Sequence, residues 1–266
     1  MKTKAIITFL FVILTQFCNA QLDDKFYQPS KQLKPIENLK YEEIAFPVDQ
    51  DTITAIVLKP VSAKPKATIL FFHGAGGNVS TYVFMTKPLV EYGFQVVMVD
   101  FRGYGKSTGI STHINVAEDG QKFFDFISQR KDVKNTKIII YGASLGSQIS
   151  VHLARKNKDK ISGLVIDGGM SSFADIAAVF APQFKDMIAK MLSSVYGAKE
   201  DVKFTERLPK LFVYSKNDKT VPFSQGEEVY KNASEPKQFF EFTADHLNAI
   251  KEKPTELLKA IESLLK

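Results

Sequence analysis

The feature that most restricts the fold of this chain is a series of short apolar runs, each separated from the next by a polar or helix-like segment. The runs ATILFFHG, FQVVMVD and KIIIYG come first, and ISGLVIDGG, KLFVYS and KQFFEF repeat the pattern. Continuous apolar runs of this length are typical of strands covered on both faces, and such strands pair in parallel through right-handed crossovers. The sequence therefore predicts an α/β fold: a mostly parallel twisted sheet with helices on both faces.

One domain is predicted for residues 41–266. It opens with two alternating segments, YEEIAFPV and TITAIVLKP, which predict an antiparallel hairpin. It ends with PTELLKAIESLLK, an amphipathic helix with proline at its start. Neither a repeat nor a flexible linker divides this domain, and a polar lead segment, residues 21–40, precedes it.

Residues 1–20 predict a secretion signal rather than a part of the fold. Lys2 and Lys4 precede a short apolar run, and the small residue Ala20 stands before a polar segment. The run is short for a membrane span, although a retained anchor is the alternative. We therefore expect export to the periplasm or the exterior after cleavage near Ala20, and a mature chain without a stable membrane span. Cleavage also removes Cys18, the only cysteine, and with it any disulfide or thiol nucleophile.

The charge pattern does not indicate a nucleic-acid partner. The net charge is +6, but lysines scattered among carboxylates supply most of the basic residues. Arginine, the preferred fork for phosphate and guanine, is scarce, and no aromatic-basic stripe is present. The four histidines have no metal-ligand spacing. We expect a small-molecule or acylated substrate as the partner; the pattern indicates no particular oligomeric state.

Polar residues that can carry chemistry follow the carboxyl ends of the predicted strands. In parallel sheets these ends share one edge, where ligands bind. The residues are His73, Gly74, Asp100, Ser144, Asp167 and Asp218, with His246 after the last strand.

Ser144 lies in the stretch Gly-Ala-Ser-Leu-Gly, between a strand and a helix. A nucleophile on so tight a turn adopts a strained backbone, and glycines at positions 142 and 146 relieve the crowding. The turn directs the hydroxyl into a cleft and the Leu145 N–H toward a developing oxyanion. Ser144 is therefore the candidate nucleophile and Leu145 a candidate oxyanion donor.

A serine hydroxyl needs a base to accept its proton, and His246 is the best candidate. Asp218, in the loop after KLFVYS, is the candidate acid that orients the imidazole. Asp167 is the alternative acid, or it caps the segment that follows. The order serine, aspartate, histidine is the one associated with a nucleophile elbow in this type of sheet.

The glycine-rich loop HGAGGN supplies a second oxyanion donor, for which we select the Ala75 N–H. Gly76 in the same loop lets backbone approach a substrate, and Tyr104 is a candidate to line the cleft. The segment of about residues 168–209 is long for a connection. It predicts either a helix packed on the sheet or a small lid that binds substrate through Phe180 and Met187.

Five motifs in this order resemble the α/β-hydrolase superfamily. They are H-G-A-G-G-N from His73, D-F-R-G-Y-G from Asp100, G-A-S-L-G around Ser144, N-D-K-T-V-P around Asp218 and D-H at His246. The resemblance covers roughly Tyr41 to the end and is to small esterase-like proteins, serine aminopeptidase-like proteins and depalmitoylases. It implies the α/β-hydrolase fold. Ser215 departs from the pattern, because relatives often have histidine or glycine there.

These residues predict a serine hydrolase that cleaves carboxylic esters or thioesters through an acyl-enzyme, with no cofactor required. An exopeptidase of the serine aminopeptidase type is the alternative enzyme. It needs carboxylates to hold a substrate amine, for which Asp175 and Asp186 of the lid are candidates. A binding protein that kept the fold without the chemistry is the non-enzymatic alternative.

Overall fold

The computed structural model describes residues 25–193 and 195–266, so the predicted signal, residues 1–20, lies outside the described residues. The strands are β1 (Gln28–Pro29), β2 (Lys40–Val48), β3 (Asp51–Lys59), β4 (Thr68–Phe72), β5 (Gly76–Gly77), β6 (Gln95–Val99), β7 (Ile138–Ala143), β8 (Gly163–Asp167), β9 (Lys210–Ser215) and β10 (Lys237–Phe242). The α-helices are α1 (Val83–Glu91), α2 (His113–Ile127), α3 (Gly146–Asn157), α4 (Phe173–Phe180), α5 (Lys185–Met191), α6 (Ala198–Asp201), α7 (Phe223–Asn232), α8 (Ala249–Glu252) and α9 (Pro254–Ser263).

Eight of these strands form one sheet, in the order β10-β9-β8-β7-β4-β6-β3-β2. β2 and β3 form the predicted antiparallel hairpin, and β3 pairs antiparallel with β6. All other neighbours in this sheet are parallel. The predicted α/β fold and its mostly parallel sheet are therefore confirmed.

The sheet separates two apolar cores, and side chains along β4 alternate between them. Ile69 and Phe71 belong to the core under α1, α8 and α9. Leu70 and Phe72 belong to the core under α2, α3 and α7. Both faces exclude water, which explains why the predicted strands have no polar alternation. Among the described helices, none is long and apolar enough to cross a membrane.

The segment between β8 and β9 folds into short helices rather than one long helix. Its apolar residues recur at near-helical spacing, but α4 ends at Phe180 and a 3-10 turn, Pro182–Phe184, separates it from α5. Proline at position 182 lacks the N–H that would continue α4. The break lets Ile188 of α5 pack inward, whereas Met187 beside it is 54% exposed. We call residues 168–209 the lid.

The lead segment is part of the folded body from Lys25 onward. β1 pairs in parallel with β5 of the glycine-rich loop, Gln28 with Gly76 and Pro29 with Gly77. The Ser30 N–H donates to the Gly77 carbonyl at 2.8 Å. We call residues 25–34 the strap. The strap has no helical or strand-like hydrophobic periodicity in its sequence. It lies against the glycine-rich loop, whose Ala75 N–H is the predicted oxyanion donor.

Arg102 fixes the loop after β6 to two distant segments. Its guanidinium donates to Asp119 of α2 at 2.6 and 2.9 Å and to Asp51 of β3 at 2.7 Å. The side chain is only 8% exposed, so these charge-assisted bonds are shielded from competing water. These bonds tie the loop that follows β6 to α2 and β3.

We predict that Gly146→Ala destabilises the fold. A Cβ at position 146 would lie 2.1 Å from the Phe72 carbonyl oxygen and 2.6 Å from the His73 carbonyl oxygen, and backbone cannot move aside easily. Overpacking of this kind costs roughly 1–3 kcal/mol or more, which exceeds the gain of about 1 kcal/mol that alanine brings to a helix. Urea denaturation measures the difference in unfolding free energy.

Gly76→Ala is the matched control for this substitution. A Cβ at position 76 meets nothing nearer than the Gln28 side-chain oxygen at 3.9 Å. We expect its unfolding free energy to stay within about 0.5 kcal/mol of the wild type. Equal stability of the two variants would contradict the steric argument.

Candidate active site

Ser144 stands on a sharp turn at the end of β7, with φ of +52°. Left-handed backbone of this kind is strained for a residue with a side chain, and strain persists only where the surroundings enforce it. Here a Cβ on Gly142 would lie 2.6 Å from the Ser147 Cα, and Gly146 has no room beside β4. The Ser144 N–H donates to the Asp167 carbonyl at 2.8 Å, which ties the turn to β8.

Asp218 and His246 meet in the structure. The His246 Nδ1 lies 2.5 Å from the Asp218 Oδ2, and the Asp218 side chain is only 2% exposed. The other carboxylate oxygen, Oδ1, accepts the N–H groups of Thr220 at 2.8 Å and Val221 at 2.9 Å. These bonds hold the carboxylate in one orientation, so that Nδ1 carries the donated proton and Nε2 has its lone pair available.

The loops that carry Asp218 and His246 are tied together by Ser215 and Asn217. β9 and β10 are neighbours, with Ser215 opposite Phe242, so the two loops leave the sheet side by side. The Ser215 hydroxyl donates to the Ala244 carbonyl, and the Asn217 side-chain amide donates to the Thr243 carbonyl at 2.6 Å. Ser215, which departs from the family pattern, thus links the acid loop to the base loop.

Asp167, the alternative acid, has a different partner. It is completely buried, and its Oδ2 accepts the Tyr141 hydroxyl at 2.5 Å. Burial raises the pKa of Asp167 to about 7; the Tyr141 hydrogen bond and His246 oppose the rise, and the Asp218 charge adds to it. The imidazole of His246 lies beside the next residue, Gly168, at 2.8 Å from the position of a Cβ there. Asp167 therefore lies close to the imidazole without accepting its proton.

The glycine-rich loop is held from both sides. The His73 Nδ1–H donates to the Gly74 carbonyl at 2.7 Å. Carbonyl and N–H of one trans peptide point in opposite directions, so this bond fixes the direction of the Ala75 N–H. The Ala75 carbonyl accepts from Gln28 N–H at 3.0 Å and from the Tyr104 hydroxyl at 2.5 Å. Within the described chain neither Ala75 nor Leu145 donates its N–H to a protein acceptor.

His73 and Asp100 lie side by side in the buried layer beneath this loop. Burial lowers the pKa of His73 to about 4 and raises the pKa of Asp100 to about 7. The His73 Nε2 lies 3.5 Å from the Asp100 Oδ1, which also accepts the Val79 N–H at 2.8 Å. The pair supports the loop from below and does not face the cavity.

A cavity of about 720 Å³ opens beside the serine. Ser144, His246, Ala75 and Leu145 all line it, and so does Gly76. Tyr82, which ends the 3-10 turn after the glycine-rich loop, lines it as well. Its remaining walls come from the strap, the lid and the loops after β8, β9 and β10: Lys25, Phe26, Gln28, Met170, Ile176, Ala177, Phe180, Ala181, Ile188, Thr220, Val221 and Leu247. The cavity is mostly apolar, and none of its described lining residues is a carboxylate.

Two of the residues selected from the sequence as substrate-binding do not line this cavity. Tyr104 is fully buried behind the glycine-rich loop, because its hydroxyl bonds the Ala75 carbonyl. Met187 lies on the outer side of α5, whereas its neighbour Ile188 lines the cavity. Sequence reasoning missed Phe26 and Gln28. The apolar pair Phe26-Tyr27 inside a polar lead was the one available signal for them.

The comparisons with known proteins concern the family and the fold. A family model described as "Serine aminopeptidase, S33" matches residues 63–203, just over half of the chain. Protein bem46 of Schizosaccharomyces pombe is 27% identical over 70% of this chain and 63% of its own length, so the chain spans less than two thirds of that relative. "Uncharacterized protein YfhR" of Escherichia coli K12 is 26% identical over 86% of this chain and 81% of its own length.

The fold has close solved counterparts. The esterase Pf2001 of Pyrococcus furiosus superposes with a TM-score of 0.72, over 90% of this chain and 97% of its own, at 15% identity. At so low an identity the likeness concerns the fold.

We predict that the buried carboxyl of Asp167 makes stability fall as the pH rises. The folded carboxyl keeps its proton up to about pH 7, whereas a free carboxyl with the ordinary pKa of 3.8 has lost it. Between these values the folded state binds more protons than the unfolded state, so the unfolding free energy decreases with pH. Ionisation of Asp167 therefore does not change the unfolding free energy below about pH 3.8, and it lowers the unfolding free energy by its full amount above about pH 7.

Asp167→Asn tests this contribution, because it removes the titration and keeps the shape. The unfolding free energy of the variant minus that of the wild type should grow between about pH 4 and pH 7, by up to about 4 kcal/mol, and then level off. Urea denaturation of both proteins at a series of pH values measures the two unfolding free energies. A difference that does not change with pH would show that the carboxyl is ionised in the folded state.

Proposed function

The chain belongs to the serine aminopeptidase S33 family of α/β hydrolases, and on that premise we propose that this hydrolase cleaves carboxylic esters or thioesters through an acyl-enzyme on Ser144. One observation carries the proposal: the left-handed turn at Ser144 and the hydrogen-bonded pair of Asp218 and His246 open on the same cavity. The esterase Pf2001 has the same fold, which is consistent with this chemistry.

In the proposed first step Ser144 Oγ attacks the acyl carbonyl. The hydroxyl proton passes to Nε2 of His246, and the positive charge that forms on the imidazole is stabilised by Asp218. The carbonyl electrons move to oxygen, where the N–H groups of Ala75 and Leu145 stabilise the oxyanion. When the tetrahedral intermediate collapses, His246 returns its proton to the departing alcohol or thiol, and an acyl-serine remains.

The second step repeats this sequence with water. His246 removes a proton from the water molecule as its oxygen attacks the acyl carbonyl, and the same two N–H groups stabilise the second oxyanion. Collapse breaks the bond to Ser144 Oγ, which takes back the proton from His246. The products are a carboxylic acid and the free serine, and the residues described here suffice for every proton transfer.

The alternative of an aminopeptidase has weaker support. A substrate amine needs a carboxylate in the cavity, and no described lining residue is one. Asp175 is engaged by the Lys199 ammonium at 2.6 Å and by the hydroxyls of Ser171 and Ser172. Asp186 lies on an exposed part of α5 and does not line the cavity. Faster turnover of aminoacyl-arylamides than of aryl esters would reverse this ranking.

We predict that a fluorophosphonate probe labels the wild-type protein and that Ser144→Ala abolishes the labelling. Phosphonylation requires a serine oxygen that a base has activated, which the proposed mechanism assigns to position 144 alone. Ser193→Ala is the matched control: the Ser193 side chain is exposed, and its hydroxyl donates to the Lys190 carbonyl at 2.9 Å. Mass spectrometry of the labelled peptide identifies the site. Equal labelling of the wild type and Ser144→Ala would contradict the proposal.

The labelling rate also distinguishes the two carboxylates. Asp218→Asn should slow labelling and ester hydrolysis by roughly 10³–10⁴-fold, because the wrong tautomer of His246 is then favoured. Asp167→Asn should leave both rates within about tenfold of the wild type, because Asp167 does not accept the imidazole proton. A folded wild-type protein that fails to react with the probe would favour the binding-protein alternative.

We also propose that the protein is exported and cleaved near Ala20, on the basis of its basic start, its short apolar run and its small residue before the break. Expression with the native start, followed by mass measurement of the protein in the periplasm or medium, should find a mature chain that starts near Gln21. A full-length chain retained in the cytoplasm would contradict export.

A further inference from the structure

The cavity beside Ser144 has two apolar walls that come from distant parts of the chain. One is Phe26 of the strap. The other consists of α4 and α5 of the lid, where Ile176, Phe180 and Ile188 face the cavity. Met170, from the loop after β8, adds a further apolar side chain. A volume of about 720 Å³ lies within the range of roughly 300–1,000 Å³ that is usual for small-molecule sites.

Phe26 is a fixed wall because its neighbours hold it. Its ring packs edge-on against Phe173 of α4 and against His113 of α2, each at 5.2 Å between centroids. The next residue, Tyr27, is buried in the core. From Gln28 onward, the pairing of β1 with β5 fixes the backbone. The strap and the lid thus meet through Phe26 and Phe173 above the sheet.

Two small side chains of the lid, both alanines, keep the space between these walls open. Ala177 of α4 lines the cavity, and so does Ala181, the residue that follows the end of this helix. Ala178, the next residue of α4, does not line it. A larger side chain at position 177 therefore fills the cavity, whereas the same side chain at position 178 does not.

We propose that this cavity binds the linear aliphatic acyl chain of the substrate, and that Phe26 and Ala177 determine the chain length that fits. The inference rests on the proposed acyl transfer to Ser144 and names its substrate class. Apolar walls contribute binding free energy for each methylene they cover, about a fourfold gain in affinity per buried group. An acyl chain whose carbonyl lies at Ser144 contacts these walls directly, because Ser144 lines the same cavity.

The experiment measures kcat/KM of the full chain for p-nitrophenyl esters from acetate to palmitate. For the wild type we expect at least a tenfold rise from acetate to octanoate, followed by a fall once the chain exceeds the cavity. Ala177→Leu should lower the ratio of kcat/KM for octanoate and longer esters to kcat/KM for acetate at least tenfold. Ala178→Leu, its matched control, should keep the wild-type profile.

Substitutions in the strap test the other wall. Phe26→Ala should move the preferred chain length upward, because the ring no longer limits the cavity. Leu33→Ala is the control, since Leu33 belongs to the same strap but is 39% exposed and does not line the cavity. If Phe26→Ala unfolds the protein, Phe26→Leu keeps the apolar contact with a smaller side chain and should shift the profile in the same direction.

Fluorophosphonate labelling separates the failure of this inference from the failure of the proposed function. A wild type that is labelled at Ser144 but hydrolyses acetate fastest, with rates that fall steadily with chain length, would overturn the acyl pocket and leave the serine hydrolase intact. Identical profiles for Ala177→Leu and Ala178→Leu would overturn it as well. A wild type that is not labelled at Ser144 would remove the premise on which the pocket rests.

Discussion

The close crossing of α3 over the end of β4 is the constraint on which the rest of the site depends. The backbone at Gly146 touches the carbonyls of Phe72 and His73 with no space for a side chain. Because the helix returns over the sheet so near its edge, the turn before it must be very tight, and Ser144 is held at positive φ. The Ser144 side chain therefore lines the cavity and does not pack in the apolar core. The flanking residues Ala143 and Leu145 are buried.

The parallel sheet does the rest of the positioning by placing the ends of successive strands side by side. Ser144 follows β7, Asp167 closes β8, Asp218 follows β9 and His246 follows β10, and these four strands are consecutive neighbours in the sheet. Two carboxylates consequently lie near one imidazole, and their surroundings distinguish them. Two backbone N–H groups donate to Asp218, whereas complete burial favours the neutral form of Asp167, although the Tyr141 hydroxyl opposes this effect.

Most of the sheet could be predicted because strands covered on both faces leave an unambiguous apolar pattern. The glycines at 142 and 146 also made the turn at Ser144 predictable, since a tight crossing requires them. The strap could not be predicted, because β1 is only two residues long and pairs through backbone atoms. Tyr104 was misplaced for a different reason. A motif gives the position of a tyrosine in the chain, but only the packing decides whether its hydroxyl faces the cavity or the Ala75 carbonyl.

The position of the strap has a practical consequence for anyone who handles the protein. Lys25 and Phe26 line the cavity, so a purification tag or fluorescent fusion joined immediately ahead of them would begin beside the substrate. The carboxyl end of the described chain does not line the cavity. Lys266 lies with Lys137, Ser162 and Pro209, which precede β7, β8 and β9, at the far rim of the sheet. Fusion modules therefore belong after Lys266.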